Sequence, residues 1–135
     1  MSLKRIMSNY ADYNLWVNQQ FVNWLSPKSD ELLYAEVPSS FSTIMKTLDH
    51  IWSTEEYWFS VISETAMSEK KTENELSKEE IFEGLLNSST KLKQMMSLFK
   101  SGVSWAQYMV SNGENGNQMI LEKKSKVLLI PRLNY

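Results

Sequence analysis

Three long amphipathic stretches, separated by polar connections, dominate the pattern of hydrophobic and polar positions along the chain. Within each stretch the apolar residues recur every three or four positions, which is the period of an α-helix. The pattern predicts helices over residues 3–26, 40–66 and 77–100. Amphipathic helices bury their apolar stripes against one another. We therefore expect an all-α, up-down helical bundle that forms a single domain over residues 1–135.

The first helix carries a stripe that is rich in aromatic residues, and we expect this stripe to face the core. Its members are Leu3, Ile6, Tyr10, Tyr13, Val17, Phe21 and Trp24. The asparagines of the same helix, among them Asn14 and Asn18, lie mostly off this stripe. Ser26 and Pro27 should end the helix, because the residue before a proline is disfavoured in the helical region.

Sequence signals also indicate where the other two helices begin and end. Ser39 or Ser40 can act as the N-cap of the second helix, since a serine hydroxyl accepts a hydrogen bond from a free backbone amide. Ser77 and Glu80 have the spacing of a capping box at the start of the third helix. Gly102 follows that helix in the position typical of a helix end.

The helical period is lost after Gly102, and residues 103–135 are expected to form an irregular or short-stranded tail. Three apolar stripes without a fourth helix leave a groove uncovered. Monomeric proteins rarely expose apolar patches larger than a few hundred Å². We therefore predict a homodimer, in which a second copy and the folded-back tail together cover the groove.

Composition narrows the classes of function. The net charge of −2 provides no basic surface for nucleic acid. No apolar run reaches the length of a membrane-spanning helix, so no membrane partner is expected. The absence of cysteine and of an apolar leader at Met1 favours a cytoplasmic protein.

The candidate chemistry is sparse. The chain contains one histidine and no cysteine, and it has neither a nucleophile elbow nor a glycine-rich phosphate loop. His50 lies on the flank of the second stripe, one turn from Glu55, and from the residues alone a structural imidazole is the simpler interpretation. The five tryptophans stand mostly at helical core spacing, so packing is favoured over a ligand pocket for most of them.

Two segments carry a family resemblance. Residues 10–18 contain Tyr-Ala-Asp-Tyr-Asn-Leu-Trp-Val-Asn, and residues 38–58 contain a Leu-Asp-His core followed by Trp58. Both resemble the first two helices of the DinB/YfiT-like family. The resemblance implies a four-helix bundle that holds a divalent metal, Zn or Ni, through three histidines, and His50 matches the first of these ligands. The family supplies the other two from a later His-x-x-x-His, whereas this sequence has no histidine after His50. Truncation, a frame shift or natural divergence would each explain that difference.

Two hypotheses of function follow. The resemblance implies a metal-dependent enzyme of the hydrolase or thiol-transferase class, acting on a small-molecule substrate, with an incomplete metal site in this chain. The alternative is a non-catalytic helical bundle that binds a small molecule or associates with itself. The sequence indicates no catalytic residue for either hypothesis.

Overall fold

A computed structural model describes residues 2–67, 69, 71 and 75–111. Its described helices are α1 (Leu3–Leu25), α2 (Asp30–Leu33), α3 (Ile44–Ser63), α4 (Lys78–Lys100) and α5 (Trp105–Ser111). The three long helices confirm the predicted all-α bundle. The tail differs from the prediction at its start, because α5 is helical there. The predicted pairing or packing of residues 112–135 lies outside the described residues.

The ends of the long helices follow local capping. Ser77 caps α4 by accepting a hydrogen bond from the backbone amide of Glu80 at 3.1 Å, as predicted. The predicted start of the second long helix at Ser39 or Ser40 is wrong. Thr43 is the N-cap of α3, and its Oγ1 accepts from the amide of Lys46 at 3.0 Å. Residues 39–42 instead form a turn that ends with Ser42 at a positive φ of 61°, so the helix begins four residues later than expected.

Two apolar clusters show the directions of the helices. At one end of the bundle, Leu25, Met45 and Ile81 pack together. At the other end, the cluster of Phe59 and Met95 packs against Met7. Helix α1 therefore runs antiparallel to both α3 and α4, while α3 and α4 run parallel to each other. The antiparallel arrangement expected for consecutive helices thus holds for α1 but not for the α3–α4 pair.

The core lies where α4 packs between α1 and α3. Its apolar stripe is buried as predicted, with Ile81, Leu85 and Met95 at 2% exposure or less. Gly84 lets α3 approach α4 closely, because a Cβ at this position would lie 2.2 Å from the indole ring of Trp52. Leu33 of α2 is fully buried and closes the end of the bundle to which Leu25 belongs.

The prediction for the buried face of α1 is wrong. The aromatic stripe points outward, with Tyr10, Tyr13 and Trp24 each more than 60% exposed. The buried face instead carries Asn18 and Leu25. The expectation that most tryptophans pack in the core is also wrong, since Trp16 and Trp24 of α1 and Trp58 of α3 are exposed. Among the helices that the structure describes, none has both the length and the apolar character needed to span a membrane.

Candidate functional site: a polar cluster beneath an apolar groove

A buried carboxylate lies at the junction of the three long helices. Glu55 of α3 is 7% exposed. Its Oε1 accepts hydrogen bonds from the side-chain amides of Asn14 and Asn18, both on α1. Ser88 of α4 donates to Oε2, and the hydroxyl of Ser89 lies 3.0 Å from both carboxylate oxygens. We call these five residues the Glu55 cluster.

The Glu55 cluster is internally connected. The amide nitrogen of Asn18 lies 2.9 Å from Ser89 Oγ, so the serine hydroxyl accepts from α1 while it donates to α3. Desolvation by burial raises the pKa of the Glu55 carboxyl group, and hydrogen bonds from Ser88, Asn14 and Ser89 oppose that shift. The cluster therefore holds a carboxyl group whose proton affinity is higher than that of an exposed glutamate.

An open groove borders this cluster and runs between α1 and α3, with α4 as its floor. Its volume is about 330 Å³. Lining it are Met7, Tyr10, Ala11 and Asn14 of α1, Thr54, Glu55 and Trp58 of α3, and Leu92 and Met96 of α4. We call it the α1–α3 groove. Its walls are mainly apolar and aromatic, and its polar groups are few, which is the composition of small-molecule sites in general.

Sequence reasoning missed the Glu55 cluster, although two signals for it were present. Ser88 and Ser89 interrupt the apolar stripe of α4 between Leu85 and Leu92, so they are small hydroxyl residues at core positions. Asn14 and Asn18 are four residues apart, which places their side chains on one face of α1. Buried donors on two helices require a buried acceptor, and Glu55 supplies it.

His50, the residue that the resemblance assigns to metal binding, lies outside the lining of the α1–α3 groove. Its half-buried ring stacks on Phe41, with ring centroids 4.1 Å apart and an interplanar angle of 21°. Its Nε2 lies 3.5 Å from Thr54 Oγ1. Phe41 falls within the range predicted for the second helix, residues 40–66, but it lies in the turn before α3 and packs against the imidazole from there.

The described residues do not fit the metal site implied by the family. In the described parts of the chain, no three histidine, cysteine, aspartate or glutamate side chains converge into a potential metal site. The whole sequence contains no second histidine and no cysteine that could complete a set of nitrogen or sulfur ligands around His50. The role of His50 as a ligand stays a prediction.

Comparison of the sequence with known proteins identifies a matching family and a curated relative. The sequence pattern of the DinB family matches residues 1–129. A curated relative, Protein DinB from Bacillus subtilis (strain 168), is 33% identical over 67 residues, a match that covers 47% of this chain and 39% of that protein. No solved structure matches the chain. Because the family pattern spans nearly the whole sequence and the described residues form the expected helical bundle, the chain belongs to the DinB family.

Proposed function

We propose that this DinB-family protein is a small-molecule-binding bundle, whose α1–α3 groove holds a ligand with an apolar body. The observation that carries the proposal is the pair of exposed aromatic side chains that line the groove beside the Glu55 cluster. Tyr10 is 70% exposed and Trp58 is 51% exposed, and both line the groove that Glu55 and Asn14 border. Aromatic side chains that remain exposed beside a concave apolar surface can bury substantial area when a ligand enters.

Titration with N-phenylnaphthylamine, a neutral apolar fluorescent probe, tests this proposal. We expect saturable binding that Trp58→Leu weakens by about tenfold, which corresponds to about 1.4 kcal/mol. Trp24→Leu is the matched control, because Trp24 is 63% exposed but does not line the groove. Absence of saturable binding, or equal losses in the two variants, would contradict the proposal.

The other hypothesis, a metal-dependent hydrolase or thiol transferase, requires metal ligands beyond His50. Equilibrium dialysis against Zn²⁺ or Ni²⁺, with protein that carries no His tag, distinguishes the two. We expect less than about a tenth of an equivalent of bound metal, and no change in His50→Ala, because one imidazole is a weak site. One equivalent of metal that disappears in His50→Ala would restore the metal-dependent hypothesis.

A further inference from the structure

The Glu55 carboxylate is buried without a charged partner among the described residues. Its hydrogen-bond donors are the amides of Asn14 and Asn18 and the hydroxyls of Ser88 and Ser89, all of them neutral. The ion pairs between described residues do not include it. A buried carboxylate is normally paired with a cation, because the loss of hydration is costly.

The lysines of the adjoining part of α4 are engaged elsewhere. Lys91 lies 3.4 Å from Glu56 Oε2, and its ammonium group lies 4.6 Å from the centre of the Phe59 ring. Lys93 lies 3.8 Å from Asp12 Oδ1. Among the described residues, no lysine, arginine or histidine lines the α1–α3 groove. The field at the floor of the groove is therefore negative and disfavours anionic ligands.

The aromatic residues that line the groove also favour a cationic ligand. Tyr10 and Trp58 line the groove. The faces of aromatic rings attract an ammonium group through their quadrupoles, and tryptophan is the strongest such residue. Met7, Leu92 and Met96 provide an apolar surface for the rest of the ligand. Charge and surface complementarity thus select for the same chemistry, a cationic head on an apolar body.

We propose that the α1–α3 groove selects organic monocations, with the ammonium group held between Glu55 and the aromatic walls. This inference rests on the proposed function, since it names the class of ligand for the same groove. A carboxylate has about four lone-pair positions, and the four neutral donors occupy them. The attraction is therefore Coulombic and needs no N–H donor on the ligand. A quaternary ammonium compound should bind as well as a primary amine.

Isothermal titration calorimetry with four probes at constant ionic strength tests the selection. The probes are benzyltrimethylammonium, benzylamine, the neutral benzyl alcohol and the anion phenylacetate, at a pH where benzylamine is protonated. We expect the two cations to bind with similar affinity, at least about fivefold more tightly than the alcohol, which corresponds to about 1 kcal/mol. Phenylacetate should bind most weakly.

Substitutions separate selection from simple binding. Glu55→Gln should reduce the preference for cations to less than about twofold while the alcohol still binds. If Glu55→Gln does not fold, as judged by circular dichroism, the exposed wall variant Trp58→Leu replaces it and should weaken cation binding, whereas Trp24→Leu should not. Equal binding of cations and alcohol by the wild type would overturn the inference and leave the proposed function intact. Failure of all four probes to bind would overturn the inference, and it would overturn the proposed function only if N-phenylnaphthylamine also fails to bind.

Discussion

Glu55 shows how a charged residue can occupy the interior of a small helical bundle. Burial disfavours the charged form, and four neutral donors from two other helices return part of the lost hydration. The pKa of this group is still raised, because desolvation is the largest influence on it and outweighs the hydrogen bonds that lower it. Glu55 therefore contributes both connectivity between helices and a dependence of stability on pH.

We predict that Glu55 makes folding more favourable at acidic than at neutral pH, relative to Glu55→Gln. The folded-state pKa lies above the ordinary carboxyl value of 4.5, so the folded protein binds this proton more tightly than the unfolded chain. The contribution is fully present below the unfolded-state pKa and is lost as the pH rises through the folded-state pKa.

Urea denaturation at a series of pH values measures this contribution as the difference in free energy of unfolding between wild type and Glu55→Gln. The difference should fall as the pH rises above 4.5. Glu83→Gln, which removes an exposed carboxylate from α4, controls for the loss of one negative charge. A difference that stays constant or grows with pH would show that burial does not govern this group.

At the scale of the element, α1 has two candidate faces, and the polar one is buried. The aromatic stripe and the face of Asn14, Asn18 and Leu25 share the helical period. Only the second face packs against α4, because the side-chain amide of Asn18 donates hydrogen bonds to Ser89 and Glu55. Unsatisfied buried donors are costly, so the hydrogen-bonding requirement of the Glu55 cluster orients the helix.

Asn18→Ala should therefore destabilise the protein by about 1–3 kcal/mol, since it removes a donor from the carboxylate and from Ser89. Asn23→Ala is the matched control on the exposed side of α1, and its effect should stay within about 0.5 kcal/mol. Chemical denaturation of both variants provides the measurement. Similar effects of the two substitutions would indicate that the aromatic stripe, not the asparagine face, is buried.

The position of the N-cap of α3 is a second prediction at this scale. Thr43→Val preserves the shape of the side chain but removes the acceptor for Lys46, so we expect a loss of about 0.5–2 kcal/mol. Thr43→Ser keeps the hydroxyl acceptor and should therefore retain most of the stability that Thr43→Val loses. Ser39→Ala should change stability by less than about 0.5 kcal/mol, because Ser39 lies in the preceding turn. Thermal or urea denaturation measures these losses. If Ser39→Ala destabilised the protein more than Thr43→Val, the N-cap would lie at Ser39, as expected from the sequence.

At the scale of the whole molecule, the parallel alignment of α3 and α4 shapes the groove. The chain leaves α3 near Phe59 and enters α4 near Ile81, at opposite ends of the bundle. A 23-residue helix is about 35 Å long, and the connection over residues 64–77 can span about 46 Å when extended. The intervening residues are thus numerous enough to return the chain along the bundle, and α4 can contact both α1 and α3.

The exposed aromatic stripe of α1 also bears on assembly. We predict that the protein forms a two-fold dimer in solution, because Tyr10, Tyr13 and Trp24 are exposed along one face of α1. Monomeric proteins rarely expose large contiguous apolar patches, and two-fold pairing is the commonest way to cover them. Light scattering should give a molar mass twice that of one chain. For Tyr13→Glu, it should give the mass of a single chain. Gln19→Lys, a charge change at an exposed position on the other side of α1, should leave the dimer intact. A monomeric wild type at micromolar concentration would contradict this prediction.

The sequence by itself determined the features that depend on neighbouring residues. The helical period placed the three long helices, the Ser77–Glu80 pair marked the start of α4, and Gly102, with a φ of 76°, marked its end. The motifs around Asn14 and His50 sufficed to indicate the DinB family. Each of these signals depends on hydrogen bonds or spacing within a few residues, so a single segment is enough to read it.

Only the tertiary structure decided which face of α1 is buried, that α3 and α4 run parallel, and that Glu55 collects donors from two other helices. The amides of Asn14 and Asn18 could equally have faced water, and their burial is favourable only because α4 brings Ser89 beside Glu55. The candidate groove arises from the same packing. Contacts between residues 33 to 75 positions apart create the site, and helical periodicity cannot specify which surfaces meet.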